Sequence, residues 1–124
     1  MTASPALRVP AAAAGLMGAG GVALAAMSAH LPDATRLAAA SSMLLFHAAA
    51  VLGVLAARDR LLHPRLGAGA AWGLMAGAVL FALDLALRQF AGHGLFPMAA
   101  PTGGTIMILG WLIVALAAAW PRRI

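Results

Sequence analysis

Residues 66–87, LGAGAAWGLMAGAVLFALDLAL, contain one ionisable side chain, Asp84. A helix needs about 20 mostly apolar residues to cross roughly 30 Å of hydrocarbon, so this stretch reads as a membrane span. It lacks the period-2 alternation of a membrane barrel strand, which leaves a helix as the economical reading. Three more runs of the same character lie at residues 9–29, 37–57 and 103–120. The 124 residues are then used up by a single all-α domain, a four-helix transmembrane bundle with short loops.

Composition points the same way. There are eight Arg, no Lys, three Asp and no Glu, and charged residues make up 9% of the chain, where a soluble domain carries roughly 25%. So few charges cannot clothe a water-soluble bundle. The first span has a rival reading, because Arg8, an apolar run and Ala23-Leu24-Ala25 together resemble a secretory signal peptide; the run is long for such a segment, and a true span is favoured. Without cysteine, disulfides and thiolate metal sites drop out.

Positive residues in short loops are retained in the cytoplasm. With four spans, the N-terminus, the loop between spans two and three, and the C-terminus share a side that holds Arg8, Arg58, Arg60, Arg65, Arg122 and Arg123. The other side holds Arg36 and Arg88. Both termini are therefore expected in the cytoplasm. The net charge of +5 reads as topology and attraction to anionic headgroups, not as a nucleic-acid footprint, because the arginines are scattered over separate segments. Trp120 and Trp72 are placed to act as interfacial anchors.

Helices in lipid associate by close backbone approach at small residues. Gly69, Gly73 and Gly77 recur every four residues in span three, and the row continues to Leu80, Asp84 and Arg88. Span one offers Ala11, Gly15, Ala19 and Ala23. These rows are expected to make tight helix contacts within one protomer, with a homo-oligomer face as the minority reading.

An ionisable group at membrane depth is expensive and calls for an account. His47 falls near the middle of span two and Asp84 near the end of span three, about 10 Å apart in depth at 1.5 Å per residue, which argues against a direct bond between them. Asp84 is expected to pair with Arg88, one turn on, buttressed by His30 at the end of span one. This pair reads as a polar lock closing one end of the bundle, ahead of a station on an ion path. His47 reads as a packing histidine satisfied across an interface, ahead of a relay. No catalytic constellation assembles, since Ser41 and Ser42 have no base beside them. The histidines show no i,i+4 pair that would hold a metal, and no cofactor is implied. Gly18-Ala19-Gly20-Gly21 lies inside an apolar span with neither strand before it nor Lys after it, so it is no phosphate loop. Residues 88–102 mix Phe90, Leu95, Phe96 and Met98 with Gly and Pro. They read as an apolar loop lying at the mouth of the bundle and ending in a sharp turn over Pro101-Thr102-Gly103-Gly104.

Several of these pieces carry a resemblance. Ser28-Ala29-His30-Leu31, Phe46-His47-Ala48, the segment Leu80-Phe81-Ala82-Leu83-Asp84-Leu85, and Ala100-Pro101-Thr102-Gly103-Gly104 followed by Gly110-Trp111 resemble the YgdD-like small integral membrane proteins, over nearly the whole chain. Family members typically show Gly-Ala-His-Gly where this chain has Ser28-Ala29-His30-Leu31. The resemblance implies a four-span protein of the bacterial inner membrane and names no activity. It marks His30, His47, Gly103, Gly104, Gly110 and Trp111. Two function classes follow: an accessory protein packing against lipid or a larger membrane complex, and a minimal transporter or proton-coupled carrier using His47 and Asp84. The first is preferred, because small four-span transporters depend on a carboxylate in the first span, and this chain has no Glu. Neither is an enzyme.

Overall fold

The computed structural model describes residues 2–120, so Arg122 and Arg123, which entered the charge count, lie outside the described residues. Four helices follow one another: α1 (Pro5–His30), α2 (Thr35–Ala57), α3 (Pro64–Phe90) and α4 (Ala99–Ala119). All four are long and apolar enough to cross a membrane. Each lies over the run expected for it, with the ends extended by a few residues. Pro5 and Pro64 stand in the first turns of α1 and α3, where a missing N–H costs nothing and the fixed φ favours the helix.

The displacement that alters the reading of the sequence is at α4. Its helix begins at Ala99, so Pro101, Thr102, Gly103 and Gly104 are its first turns and not a sharp turn before it. Proline in a first turn does not break a helix. Thr102 Oγ1 donates to the Met98 carbonyl at 2.7 Å and Thr105 Oγ1 to that of Pro101 at 2.9 Å, which absorbs two hydroxyls in an apolar segment. The loop is correspondingly shorter, residues 91–98, and turns on Gly92 (φ 78°) and Met98 (φ 68°).

Packing runs α1 on α2, α2 on α3 and α3 on α4, with α1 touching α3 only lightly. The central pair is α2 and α3, each with 44% of its span buried against 22% for α1 and α4. Ala14, Leu44, Val51, Leu74, Ala78 and Met107 are among the buried residues that form the core. The outward faces expose Leu16, Phe46, Ile108 and Leu112, apolar side chains suited to lipid and a liability in water.

The α3–α4 seam is a row of close approaches. Gly77 and Gly103 face one another so tightly that a Cβ on either would come within 2.7 Å of the other's carbonyl oxygen. A Cβ on Gly110 would meet Leu74 at 2.8 Å. Gly77 thus makes the helix contact expected of it. Gly69, Gly73 and Gly15 do not, because no heavy atom lies within 4 Å of where their Cβ would be. A strict spacing of four drifts by about 40° per step around a helix of 3.6 residues per turn. A row that faces α4 at Gly77 has therefore rotated off the interface by Gly69. The true seam row alternates threes and fours, through Leu74, Gly77, Phe81 and Asp84.

Candidate functional site: two polar nodes in an apolar bundle

The first node forms where the end of α3 meets the loop and the start of α4. Asp84 is completely buried. Its Oδ2 accepts a hydrogen bond from Arg88 Nε at 2.9 Å, an i,i+4 ion pair whose arginine keeps 40% of its side chain exposed. Its Oδ1 accepts from the backbone N–H of Leu95 at 2.9 Å, and the carboxylate lies near the backbone N–H of Ala100, in the first turn of α4. Helix α4 has neither a capping side chain from Met98 nor an acidic residue in its first turn. Asp84 supplies from α3 the negative charge that a helix N-terminus favours. Gly94 closes the node: a Cβ there would strike Asp84 Oδ1 and come within 2.7 Å of the Arg88 guanidinium.

The pair expected between Asp84 and Arg88 is present, but His30 does not buttress it. His30 is exposed at the end of α1, a helix that does little more than graze α3, and the third partner is loop backbone instead. Sequence reasoning missed Leu95 and Gly94, since no local signal says which part of the backbone a chain reversal brings back to a carboxylate.

The second node joins α2 to α4. His47 is buried in α2, with Nδ1 2.8 Å from the Met43 carbonyl oxygen. Trp111 Nε1–H donates to His47 Nε2 at 3.1 Å, and the two rings meet edge to face, centroids 5.9 Å apart. Because indole N–H can only donate, Nε2 must be the acceptor and Nδ1 must carry the proton given to Met43. Both nitrogens are engaged in the neutral ring. His47 and Trp111 were each singled out in the sequence; their union was not.

Two further bonds tie elements together. Ser41 Oγ in α2 donates to the Gly21 carbonyl of α1 at 2.7 Å. A Cβ on Gly21 would lie 2.7 Å from Leu45 Cγ, so absence of a side chain there lets the backbone come within reach of the serine. At the opposite end of the bundle from Asp84, the His63 backbone N–H donates to the Ala117 carbonyl in the last turn of α4 at 2.9 Å. Gly104, marked by the resemblance, has open space about it. Among the described residues no three His or Asp side chains converge as metal ligands would.

The family model described as "Protein of unknown function (DUF423)" matches residues 24–104, well over half of the chain. The chain belongs to the DUF423 family. The match runs from the last turns of α1 to the first turns of α4, so in this DUF423 protein it takes in His47 and all of the Asp84 node and stops short of Trp111. No curated protein and no solved structure matches the chain.

Proposed function

We propose that this DUF423 protein, grouped with the YgdD-like members, is a non-catalytic accessory component of the bacterial inner membrane, with both termini cytoplasmic, that packs against lipid and a larger membrane complex or a second copy of itself. The observation that carries this reading is the set of small residues left without neighbours: Gly15 on α1 and Gly69 and Gly73 on α3 stand on surfaces where another helix can approach closely. The two nodes support it as well. His47 and Asp84 each spend their hydrogen bonds inside the protein, as structural polar groups do, whereas a carrier needs such a group free to bind and release its cargo.

The test is a pull-down of tagged protein from its own membranes in mild detergent or native nanodiscs, with co-purifying proteins identified by mass spectrometry. A stoichiometric partner, lost on Gly69→Leu/Gly73→Leu substitution, is the expected outcome. Proton or cation flux in proteoliposomes that Asp84→Asn or His47→Ala abolishes would replace this reading by the carrier.

A further inference from the structure

The loop between α2 and α3, residues 58–65 (RDRLLHPR), sets three arginines and a histidine against one acid. It is pinned to the bundle. The backbone N–H groups of Arg60 and Leu61 donate to the Ala57 carbonyl at 3.1 and 2.8 Å, the His63 carbonyl accepts from the Gly67 N–H at 2.8 Å, and Leu62 is buried. Because the His63 amide is also tied to Ala117 of α4, the loop is held at the level of Trp120, which is exposed just past the end of that helix. Tryptophan favours the membrane–water interface, so the cations of the loop lie at the depth of lipid headgroups.

Two nitrogens of this loop are buried and, among the described residues, have no hydrogen-bond partner: Arg58 Nε and His63 Nδ1. Both residues close on Gly67. The His63 carbonyl takes its amide, and the Arg58 stem lies against it, since a Cβ there would stand 3.6 Å from Arg58 Cγ. A guanidinium N–H can only donate, and a buried donor left without an acceptor is destabilising. Asp59 does not serve it, for its Oδ1 is 3.9 Å from Arg58 Nε and its side chain is 66% exposed. The first turn of α3 has no acidic residue. At the far end of the bundle the buried Asp84 answers Arg88 from within the chain; here no described carboxylate does the same. The guanidinium remains reachable, with 24% of the Arg58 side chain open, and Arg60 and Arg65 of the same loop are exposed.

From these unanswered donors we infer that the α2–α3 loop binds the phosphate of one anionic phospholipid headgroup. Arg58 donates to it from Nε, His63 Nδ1 adds a second hydrogen bond in the tautomer protonated there, and Arg60 and Arg65 supply positive charge around it. The arginine fork suits phosphate oxygens, and basic residues at headgroup level attract anionic lipid. Asp59 opposes the anion only from the rim. The site needs no protein partner, so it stands apart from the accessory role.

Delipidated protein, titrated with phosphatidylglycerol or with phosphatidylcholine of the same acyl chains, would be read by native mass spectrometry. Phosphatidylglycerol is expected to fill one saturable site about tenfold more tightly than phosphatidylcholine. Arg58→Lys keeps the charge but loses the Nε–H, and should cut that preference to about twofold. Arg60→Ala/Arg65→Ala, at two exposed positions, should weaken it without lowering the melting temperature. Arg8→Ala removes a cation from the same end of the bundle, one that shares a shallow depression with Pro5, Val9 and Ala12 of its own helix, and should leave the preference unchanged. Equal binding of the two lipids would overturn the site. So would a preference that Arg58→Lys leaves intact, or that Arg8→Ala reduces as much, since a diffuse field of positive charge would then account for it. Inorganic phosphate should be retained far more weakly than phosphatidylglycerol; saturable binding of equal strength would give the loop to a soluble anion in place of a lipid.

Discussion

Asp84 illustrates how one residue can be held from several directions and how unequal its partners are. Its carboxylate is fully buried and serves the loop amide of Leu95 as well as Arg88, whereas the arginine is partly exposed and can turn to water or headgroups. Asp84→Ala should therefore lower the melting temperature in detergent more than Arg88→Ala does, because it strands two kinds of donor and not one. Gly94→Ala should act like Asp84→Ala, and the double variant should be far from additive, since both changes break the same contacts; tryptophan fluorescence against temperature reads all four proteins. At His47 the expectation is spectroscopic. In ¹⁵N-labelled protein the ring should be the Nδ1–H tautomer, with Nε2 shifted as an acceptor, and Trp111→Phe should perturb Nε2 alone. An Nε2–H ring would mean that the bond to Trp111 is not made.

Among the elements, the seam between α3 and α4 is the least forgiving. Gly77→Ala or Gly103→Ala presses a methyl group against backbone atoms that cannot swing away, for a cost of about 1 to 3 kcal/mol in unfolding by sodium dodecyl sulfate. Gly73→Ala and Gly104→Ala, with open space about them, should leave stability within about 0.5 kcal/mol of the parent. The same elements show what a sequence discloses. The four spans were legible because lipid imposes length and apolarity on every crossing helix, and that constraint is written locally. The start of α4 was misplaced because Pro101 and Gly103-Gly104 read as breakers, when one is harmless in a first turn and Gly103 is there for contact with Gly77. The Asp84–Arg88 pair was legible from i,i+4 spacing alone. Its loop partners, the Ser41–Gly21 bond and the His47–Trp111 bond depend on how helices face one another, which composition does not record.

On the scale of the whole molecule, four of the six arginines among the described residues, Arg8, Arg58, Arg60 and Arg65, stand at the end of the bundle where α1 begins, and Arg36 and Arg88 at the other. A reporter that is active only in the periplasm should be silent when fused after Ile124 and active when inserted in the loop between α3 and α4; the reverse pattern would invert the orientation. The layout also treats its two flanking helices differently. Helix α4 is held near both ends, by the close approach of Gly103 to Gly77 in its first turns and by the His63 amide at its last, while among the described residues the N-terminal half of α1 makes no hydrogen bond to another helix. A single inserted residue turns everything beyond it by about 100° and moves it about 1.5 Å along the axis. Placed between Gly103 and Gly110, such an insertion must dislodge one fastening or the other; placed before Leu7, where residues 2–6 are exposed, it merely lengthens a free end. α4 is in effect a gauge of fixed length, its residue count set by the distance between two clasps, and insertion scanning should find it intolerant where the start of α1 is permissive.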